Sequence, residues 1–173
     1  MELVKEIFGG VRVYRLKSRV DGRGTLTYAY DGIEDFDVKE TRLYSMPHKG
    51  TFFGIHYRDM DMPMTKLVTI IKGRGTDYVI DLRKGSETYL KWESVELTSE
   101  NLLAVYVPAG IGHAFISTEE ETMQLFFIDK SGDDGLSKKL NYKDEKIGLK
   151  LPIPVTEISE YDADAPFLYD TRY

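Results

Sequence analysis

The sequence lacks cysteine altogether and also lacks long hydrophobic runs. Without cysteine there is neither a disulfide scaffold, nor a thiolate metal site, nor a cysteine nucleophile. The first sixteen residues, MELVKEIFGGVRVYRL, contain no apolar stretch typical of a signal peptide. No uninterrupted apolar run approaches the length that spans a membrane. These absences predict a cytoplasmic protein with no membrane partner.

The chain also has fewer positively than negatively charged side chains. Lysine and arginine total 23 against 29 aspartate and glutamate residues, so the formal net charge is −6. A field of that sign disfavours binding to nucleic acid and to anionic membranes. A few arginines gathered in a cleft can still bind a phosphorylated ligand. We therefore expect no nucleic-acid partner, whereas a phosphorylated small molecule stays compatible with the composition.

The dominant pattern is a series of short runs rich in β-branched and aromatic residues, separated by glycine-containing turns. No window shows an apolar period typical of a helix, although the polar segment 131–150 is compatible with a short helix or an ordered loop. Nine such runs within one domain, residues 1–173, predict an all-β fold, either sandwich or barrel, and a jelly roll would enclose a small-ligand site. The predicted strands are 11–16, 26–30, 51–58, 66–73, 76–82, 88–97, 102–108, 113–118 and 123–129.

The chain has three histidines, and two of them lie in predicted strands. His56 belongs to GTFFGIHYRD and His113 to PAGIGHAF. A histidine in an apolar strand is either a hydrogen-bonded core residue or a working acid or base. His48, in MPHKG, is predicted to be an exposed loop residue and is kept as a substitute proton donor.

PAGIGH has the form Pro-x-Gly-x-x-His, which resembles the second motif of the cupin family of jelly rolls (double-stranded β-helices). Many cupins bind a metal through a His-x-His pair and a carboxylate, but the matching segment here reads His56-Tyr57-Arg58. Two histidines are fewer than the three protein ligands of a usual catalytic site. The sequence therefore predicts cupin architecture without a metal, and a metal-dependent cupin enzyme is kept as a third hypothesis.

Seven segments, in chain order, resemble motifs of the dTDP-4-dehydrorhamnose 3,5-epimerase family (RmlC-like sugar-nucleotide epimerases). GIHY, for example, resembles the family's Gly-Leu-His-Phe/Tyr. The ordered set identifies the sequence as a divergent member of this family. The segments are DGRG (21–24), GIHY (54–57), KLV (66–68), DLRKGS (81–86), KWESVELTSEN (91–101), PAGIGHAF (108–115) and ISEYDADAP (158–166).

The resemblance implies three catalytic residues. His56 matches the family's base and Asp162 the carboxylate that orients it, while Lys66 matches a residue near the substrate carbonyl. Histidine suits proton abstraction beside a ketone because its unperturbed pKa of about 6.5 lies close to working pH. A carboxylate on the far ring nitrogen would fix the tautomer, and a lysine would stabilise the enolate oxygen.

The resemblance also implies substrate contacts. His113 matches a residue near the sugar, Asp77 a second pocket carboxylate, and Arg23 an arginine that binds the nucleotide phosphates. It implies a homodimer in which jelly rolls exchange strands, and no cofactor. In DLRKGS, Asp81 and Arg83 are predicted to be structural, as a salt-bridged turn between strands.

Three departures alter the implied pocket. The family's tyrosine acid falls on Phe126, which has no proton to give and is predicted to line the site instead. The family's Arg-Gly-Leu-His becomes FGIH, so Phe53 stands where a pocket arginine is expected. The upstream Gln/Asn-bearing stretch is replaced by VKETRLYSMPHKG, residues 38–50. The C-terminal aromatic segments FLY (167–169) and TRY (171–173) are predicted to pack against a sheet or a partner.

The favoured hypothesis is an epimerase of a nucleotide-linked 4-keto-6-deoxy sugar. The loss at Phe126 indicates epimerisation at a single carbon, C3 or C5, or a proton donor relocated among the twelve tyrosines, or another substrate. The alternatives are a non-catalytic protein that binds nucleotide sugars and a related ketoisomerase. The sequence does not decide between one and two carbons.

Overall fold

In the computed structural model, residues 1–131 and 135–169 are described, and they form fourteen strands and one short helix. The terminal TRY lies outside the described residues. The elements are β1 Glu2–Ile7, β2 Val11–Arg15, β3 Lys17–Asp21, β4 Gly24–Tyr28, β5 Glu40–Met46, β6 Thr51–Tyr57, β7 Lys66–Lys72, β8 Arg74–Asp81, β9 Trp92–Thr98, β10 Leu103–Val107, β11 Ile111–Ser117, β12 Thr122–Ile128, β13 Lys138–Leu140, β14 Glu157–Ile158 and α1 Glu160–Ala163.

The strands form two large sheets. Sheet I has the order β1-β2-β10-β7-β12-β5, and sheet II has the order β13-β6-β11-β8-β9 with β14 added beside β6. Apart from the parallel β14–β6 pair, the pairings in both sheets are antiparallel. The inward side chains of both sheets share one apolar core, for example Val105 and Ile70 with Val79 and Phe115. The predicted all-β jelly roll is confirmed.

The outer face of sheet II is also covered. Phe52, Tyr78 and Ile80 point away from the shared core and pack with residues of the C-terminal segment, including Leu168. The FLY segment therefore packs against a sheet, as predicted. Successive side chains of a strand alternate between its two faces. The side chains of β6 and β8 that do not lie on this outer face therefore point into the interior between the sheets.

All nine predicted strands are present, but their bounds differ in places. The run 88–97 begins its strand only at Trp92, because the preceding residues form turns around Asp81. Five strands were missed: β1, β3, β5, β13 and β14. The described part of segment 131–150 contains β13 and turns rather than a helix.

The Asp81 carboxylate holds the DLRKGS turn together. It is buried and accepts hydrogen bonds from the Arg83 guanidinium and from the Ser86 and Thr88 hydroxyls. Desolvation raises the pKa of this carboxyl, but these hydrogen bonds outweigh it and hold the pKa well below its usual range. The geometry supports the structural role predicted for Asp81 and Arg83.

The β3–β4 hairpin stands apart from both large sheets. It forms a two-stranded sheet of its own and carries Val20 and Leu26 on its exposed surface. An isolated hairpin with exposed apolar side chains is marginal in water and is typical of a segment that packs against another surface. Among the described residues, no helix is long and apolar enough to cross a membrane.

Candidate active site

A cavity of about 130 Å³ lies between the two sheets. Residues of β5, β7 and β12 form one wall, and residues of β6 and β11 form the facing wall. It is lined by Arg42, Tyr44, Phe53, Gly54, His56, Met64, Lys66, His113, Phe115, Phe126, Ile128 and Ser137. A larger cavity of about 270 Å³ lies beside the Arg83 turn, but its lining contains no histidine. Both strand histidines, His56 and His113, line the smaller cavity, and this makes it the candidate site.

His56 and Asp162 form the pair that the family resemblance implied. The His56 Nε2 atom lies 2.6 Å from Asp162 Oδ1, although 106 residues separate them. About a third of the His56 side chain is exposed, whereas Asp162 is buried. With Nε2 donating to the carboxylate, Nδ1 is left as the acceptor, which is the state that a general base requires.

The short helix α1 supplies Asp162. Ser159 caps this helix, and its hydroxyl accepts a hydrogen bond from the Asp162 backbone N–H. Desolvation raises the pKa of Asp162, but the hydrogen bond and charge of His56, together with the Gly54 N–H, hold it below its usual value. The carboxylate is therefore kept ionised next to the imidazole.

Gly54 makes this approach sterically feasible. Its backbone N–H donates to Asp162 Oδ2 over 3.1 Å. A Cβ atom at position 54 would lie 2.9 Å from Asp162 Cγ, closer than side chains tolerate. Glycine is thus required between Phe53 and His56 by the carboxylate that packs against the strand.

His113 and Asp77 form a second pair, deeper in the interior. His113 Nε2 lies 2.7 Å from Asp77 Oδ1, and both residues are buried. His113 is also the direct cross-strand partner of His56 in the β6–β11 ladder. Desolvation lowers the pKa of His113 despite the opposing charge of Asp77. The pair therefore favours a neutral imidazole beside a carboxylate.

Lys66 lines the cavity from the facing wall, at the start of β7. Desolvation lowers its pKa to about 8, although the charge of Asp77 opposes the shift. Arg42 contributes a further positive charge that lowers the Lys66 pKa. Two cationic side chains thus face the same cavity as the His56 imidazole, which suits stabilisation of a developing oxyanion.

Arg42 and Tyr44 are cavity residues that sequence reasoning missed. They alternate with exposed Thr41, Leu43 and Ser45 along β5, a strand that was not predicted. The period-two alternation in ETRLYSM is the available signal, but its apolar content is too low to indicate a strand by itself.

The Tyr44 ring packs edge-on against the two phenylalanines that mark the departures from the family pattern. Its centroid lies 4.9 Å from that of Phe53 and 5.2 Å from that of Phe126. The structure thus brings a phenol next to the position where the resemblance expects one.

Two predicted candidates lie away from the cavity. Arg23 is at the tip of the β3–β4 hairpin, where its side chain is 91% exposed and pairs with Asp21. His48 lies in an exposed loop near Glu120 and does not line the cavity, so its use as a substitute proton donor has no geometric support. Within residues 1–131 and 135–169, no three His, Cys, Asp or Glu side chains are grouped to hold a metal ion.

A family model described as dTDP-4-dehydrorhamnose 3,5-epimerase matches residues 6–170, nearly the whole chain. The chain belongs to this family. Among its curated relatives is a dTDP-4-dehydrorhamnose 3-epimerase from Streptomyces niveus, 30% identical over 162 residues, which are 90% of this chain and 78% of the relative.

Solved structures of family members share the fold. NovW, a 4-keto-6-deoxy sugar epimerase from Streptomyces spheroides, is 27% identical with a TM-score of 0.89, over 98% of this chain and 88% of NovW. ChmJ, a 3'-monoepimerase from Streptomyces bikiniensis in complex with dTDP-quinovose, is 26% identical with a TM-score of 0.87, over the same shares of the two chains.

Proposed function

We propose that this protein epimerises a nucleotide-linked 4-keto-6-deoxy sugar, with His56 as the base that removes a proton beside the ketone. The observation that carries the proposal is the His56–Asp162 hydrogen bond at the wall of a cavity, in a chain of the dTDP-sugar epimerase family. Relatives described as epimerases of dTDP-linked deoxysugars favour a dTDP-linked substrate.

In the proposed mechanism, His56 Nδ1 takes the proton from C3 or C5 of the sugar, both of which adjoin the C4 carbonyl. The electron pair moves onto the carbonyl oxygen, and the resulting enolate is stabilised by Lys66. Asp162 orients the imidazole and stabilises its charged form. A proton delivered to the opposite face of the same carbon completes the inversion, so no oxidant or cofactor is consumed.

The remaining predicted contacts complete the proposed site. His113, held by Asp77, would bind a sugar hydroxyl or the carbonyl, and Phe126 would pack against the ring. Arg23 would reach the diphosphate of a site in a second copy of the chain, because its hairpin stands apart from its own sheets. The proposed assembly is a homodimer. The absence of cysteine agrees with a cytoplasmic location.

Solvent exchange tests the proposed function. The protein is incubated in heavy water with dTDP-4-keto-6-deoxyglucose, and deuterium at C3 and C5 is followed by mass spectrometry and NMR. We expect incorporation together with an inverted product, and the labelled position identifies the carbon. Binding of the nucleotide sugar without any incorporation would support the non-catalytic alternative and overturn the proposal.

Two substitutions assign the base. His56→Asn is expected to lower turnover by about 10²–10⁴-fold, the usual contribution of a general base, with the dissociation constant for dTDP nearly unchanged. Asp162→Asn is expected to lower turnover as well and to change the pH dependence, because the amide no longer stabilises the imidazolium. Unchanged turnover in His56→Asn would exclude this histidine as the base.

A further inference from the structure

We propose that Tyr44 is the proton donor of the reaction, and that it takes the role for which Phe126 has no hydroxyl. This inference rests on the function proposed above and names the group that completes the inversion. Tyr44 lines the cavity, and its ring lies 5.2 Å from the Phe126 ring. A shift of the phenol from β12 to the neighbouring strand β5 therefore keeps it at the same end of the cavity.

The position of Tyr44 suits delivery to the face opposite the base. Tyr44 extends from β5 of sheet I, whereas His56 extends from β6 of sheet II. Both side chains line the cavity between the sheets. A planar enolate held between the walls has one face toward each sheet. Removal by His56 and delivery by Tyr44 would therefore invert the carbon, whereas delivery by His56 would restore the original configuration.

Arg42 supplies the charge that such a donor needs. It precedes Tyr44 by two residues, so both side chains leave the same face of β5. The hydrogen bond with Glu40 raises the pKa of Arg42, and the Tyr44 hydroxyl contributes a smaller effect in the same direction. Arg42 and Tyr44 both line the cavity, so the guanidinium supplies a positive charge beside the oxygen that would carry the negative charge after proton transfer.

Arg42 also compensates for the second departure from the family pattern, the absence of a pocket arginine at position 53. The resemblance expects a pocket arginine where Phe53 stands, and the Phe53 ring lies 4.9 Å from Tyr44. Arg42 therefore introduces a cation into the cavity from β5, in place of the one missing from β6. The pair Arg42 and Tyr44 replaces both lost functions from a single strand.

The proposed step is balanced. The enolate carbon forms a C–H bond with the phenol proton while the Tyr44 O–H bond breaks, and the electron pair left on oxygen makes the phenolate. The imidazolium of His56 carries the proton removed from the other face. Exchange of both groups with solvent returns the enzyme to its starting state without a net change in protons.

The test separates proton removal from inversion. Tyr44→Phe deletes one oxygen and is assayed in heavy water with dTDP-4-keto-6-deoxyglucose. We expect formation of the inverted sugar to fall by about 10²–10³-fold, within the range of general acid catalysis. Deuterium should still enter the recovered substrate with retention of configuration, because His56 continues to remove and return protons.

A second variant tests whether the proton donor has moved from position 126 to position 44. Phe126→Tyr in the Tyr44→Phe background places a hydroxyl at the position where the resemblance expects the family's tyrosine, and it should recover inversion at least tenfold. Tyr161→Phe is the matched control: its ring lies 5.9 Å from His56, but it is exposed and does not line the cavity, so wild-type rates are expected.

The outcomes are distinguishable. Inversion by Tyr44→Phe at the wild-type rate would overturn the assignment and point to solvent or Lys66 as donor. Loss of inversion in Tyr161→Phe but not in Tyr44→Phe would move the donor to Tyr161. If the unmodified protein incorporates no deuterium and inverts no sugar, the proposed function itself fails.

Discussion

At the residue scale, Lys66 gives the site a titration close to working pH. Desolvation lowers the Lys66 pKa to about 8, so the ammonium loses its proton in mildly alkaline solution. If Lys66 stabilises the enolate, kcat/KM, which reports the titration of the free enzyme, should fall as the pH rises through about 8. Lys66→Arg should remove this decrease, because an arginine keeps its charge throughout the accessible range. The measurement is the pH dependence of kcat/KM for both proteins, and a decrease of the same shape in Lys66→Arg would show that another group titrates.

The lowered pKa of Lys66 also makes the free energy of unfolding depend on pH. The folded-state pKa of Lys66 lies below the value of 10.5 for an unperturbed lysine. Burial of the charged amine therefore disfavours folding at pH below about 8, and this cost decreases as the pH rises from 8 to 10.5.

Some residues of the candidate site could be predicted from the sequence and others could not. His56 and His113 could be found because histidines are rare here and sit in apolar strands. Asp162 could be paired with His56 only through the resemblance, since 106 residues separate them. Tyr44 could not be selected among twelve tyrosines, because its role depends on contacts with Phe53 and Phe126 across strands.

At the element scale, the contact between β6 and α1 fixes the catalytic pair. Gly54→Ala would put a Cβ atom 2.9 Å from Asp162 Cγ. We expect the carboxylate to move away from His56 and kcat to fall at least tenfold, with smaller changes in dTDP affinity. Gly10→Ala is the matched control, because a Cβ there meets other atoms only at ordinary contact distances of 3.6 Å or more. Equal kcat in both variants would show that this contact is unnecessary.

The turn between β8 and β9 depends on one carboxylate. Asp81→Asn would weaken the hydrogen bonds from Arg83, Ser86 and Thr88. Because hydrogen bonds to a charged group contribute more than neutral ones, the free energy of unfolding should fall by about 2–4 kcal/mol. Urea unfolding at pH 7 measures the change. Glu93→Gln, which alters the exposed pair with Lys5, should cost less than about 1 kcal/mol.

At acid pH, the unfolding free energies of Asp81→Asn and the unmodified protein should become more similar. The folded-state pKa of Asp81 is lowered from 3.8, so its stabilising contribution is complete above that value and is lost as the pH falls below it. The gap in unfolding free energy between Asp81→Asn and the unmodified protein should therefore narrow below about pH 4. A gap that is independent of pH would indicate that the turn is held by other contacts.

Elements with a strong apolar pattern were predicted, and those without it were missed. The apolar run of the buried β11 predicts a strand, although the predicted start lies two residues after the observed one. β3 is exposed throughout and β14 has two residues, so neither offers a periodic signal. The helix α1 is four residues long, and its formation depends on the Ser159 cap and on packing against β6 rather than on its own propensity.

At the scale of the whole molecule, the β3–β4 hairpin predicts catalysis shared between two chains. If Arg23 acts in the partner's site, Arg23→Ala and His56→Asn should each be poorly active alone. Their mixture should recover activity, because a heterodimer has one site with both residues intact. Random exchange into dimers would give about a quarter of the unmodified activity.

The control for this experiment mixes two proteins whose defects share one site. His56→Asn and Asp162→Asn alter side chains 2.6 Å apart in the same chain, so their mixture should show no more activity than the two variants assayed separately. Sedimentation velocity checks that all variants are dimers. Failure of the Arg23→Ala mixture to regain activity, with dimers present, would locate Arg23 outside the partner's site.

The topology of sheet I has a thermodynamic consequence. Within the described residues, β5 pairs only with β12 and forms the edge of that sheet. Edge strands open locally at a lower free energy than strands paired on both sides. The wall that carries Arg42 and Tyr44 is therefore expected to open more readily than the cavity walls on β7, β12, β6 and β11. A ligand that bridges both walls would use part of its binding free energy to suppress this fraying, and slower amide exchange along β5 would record it.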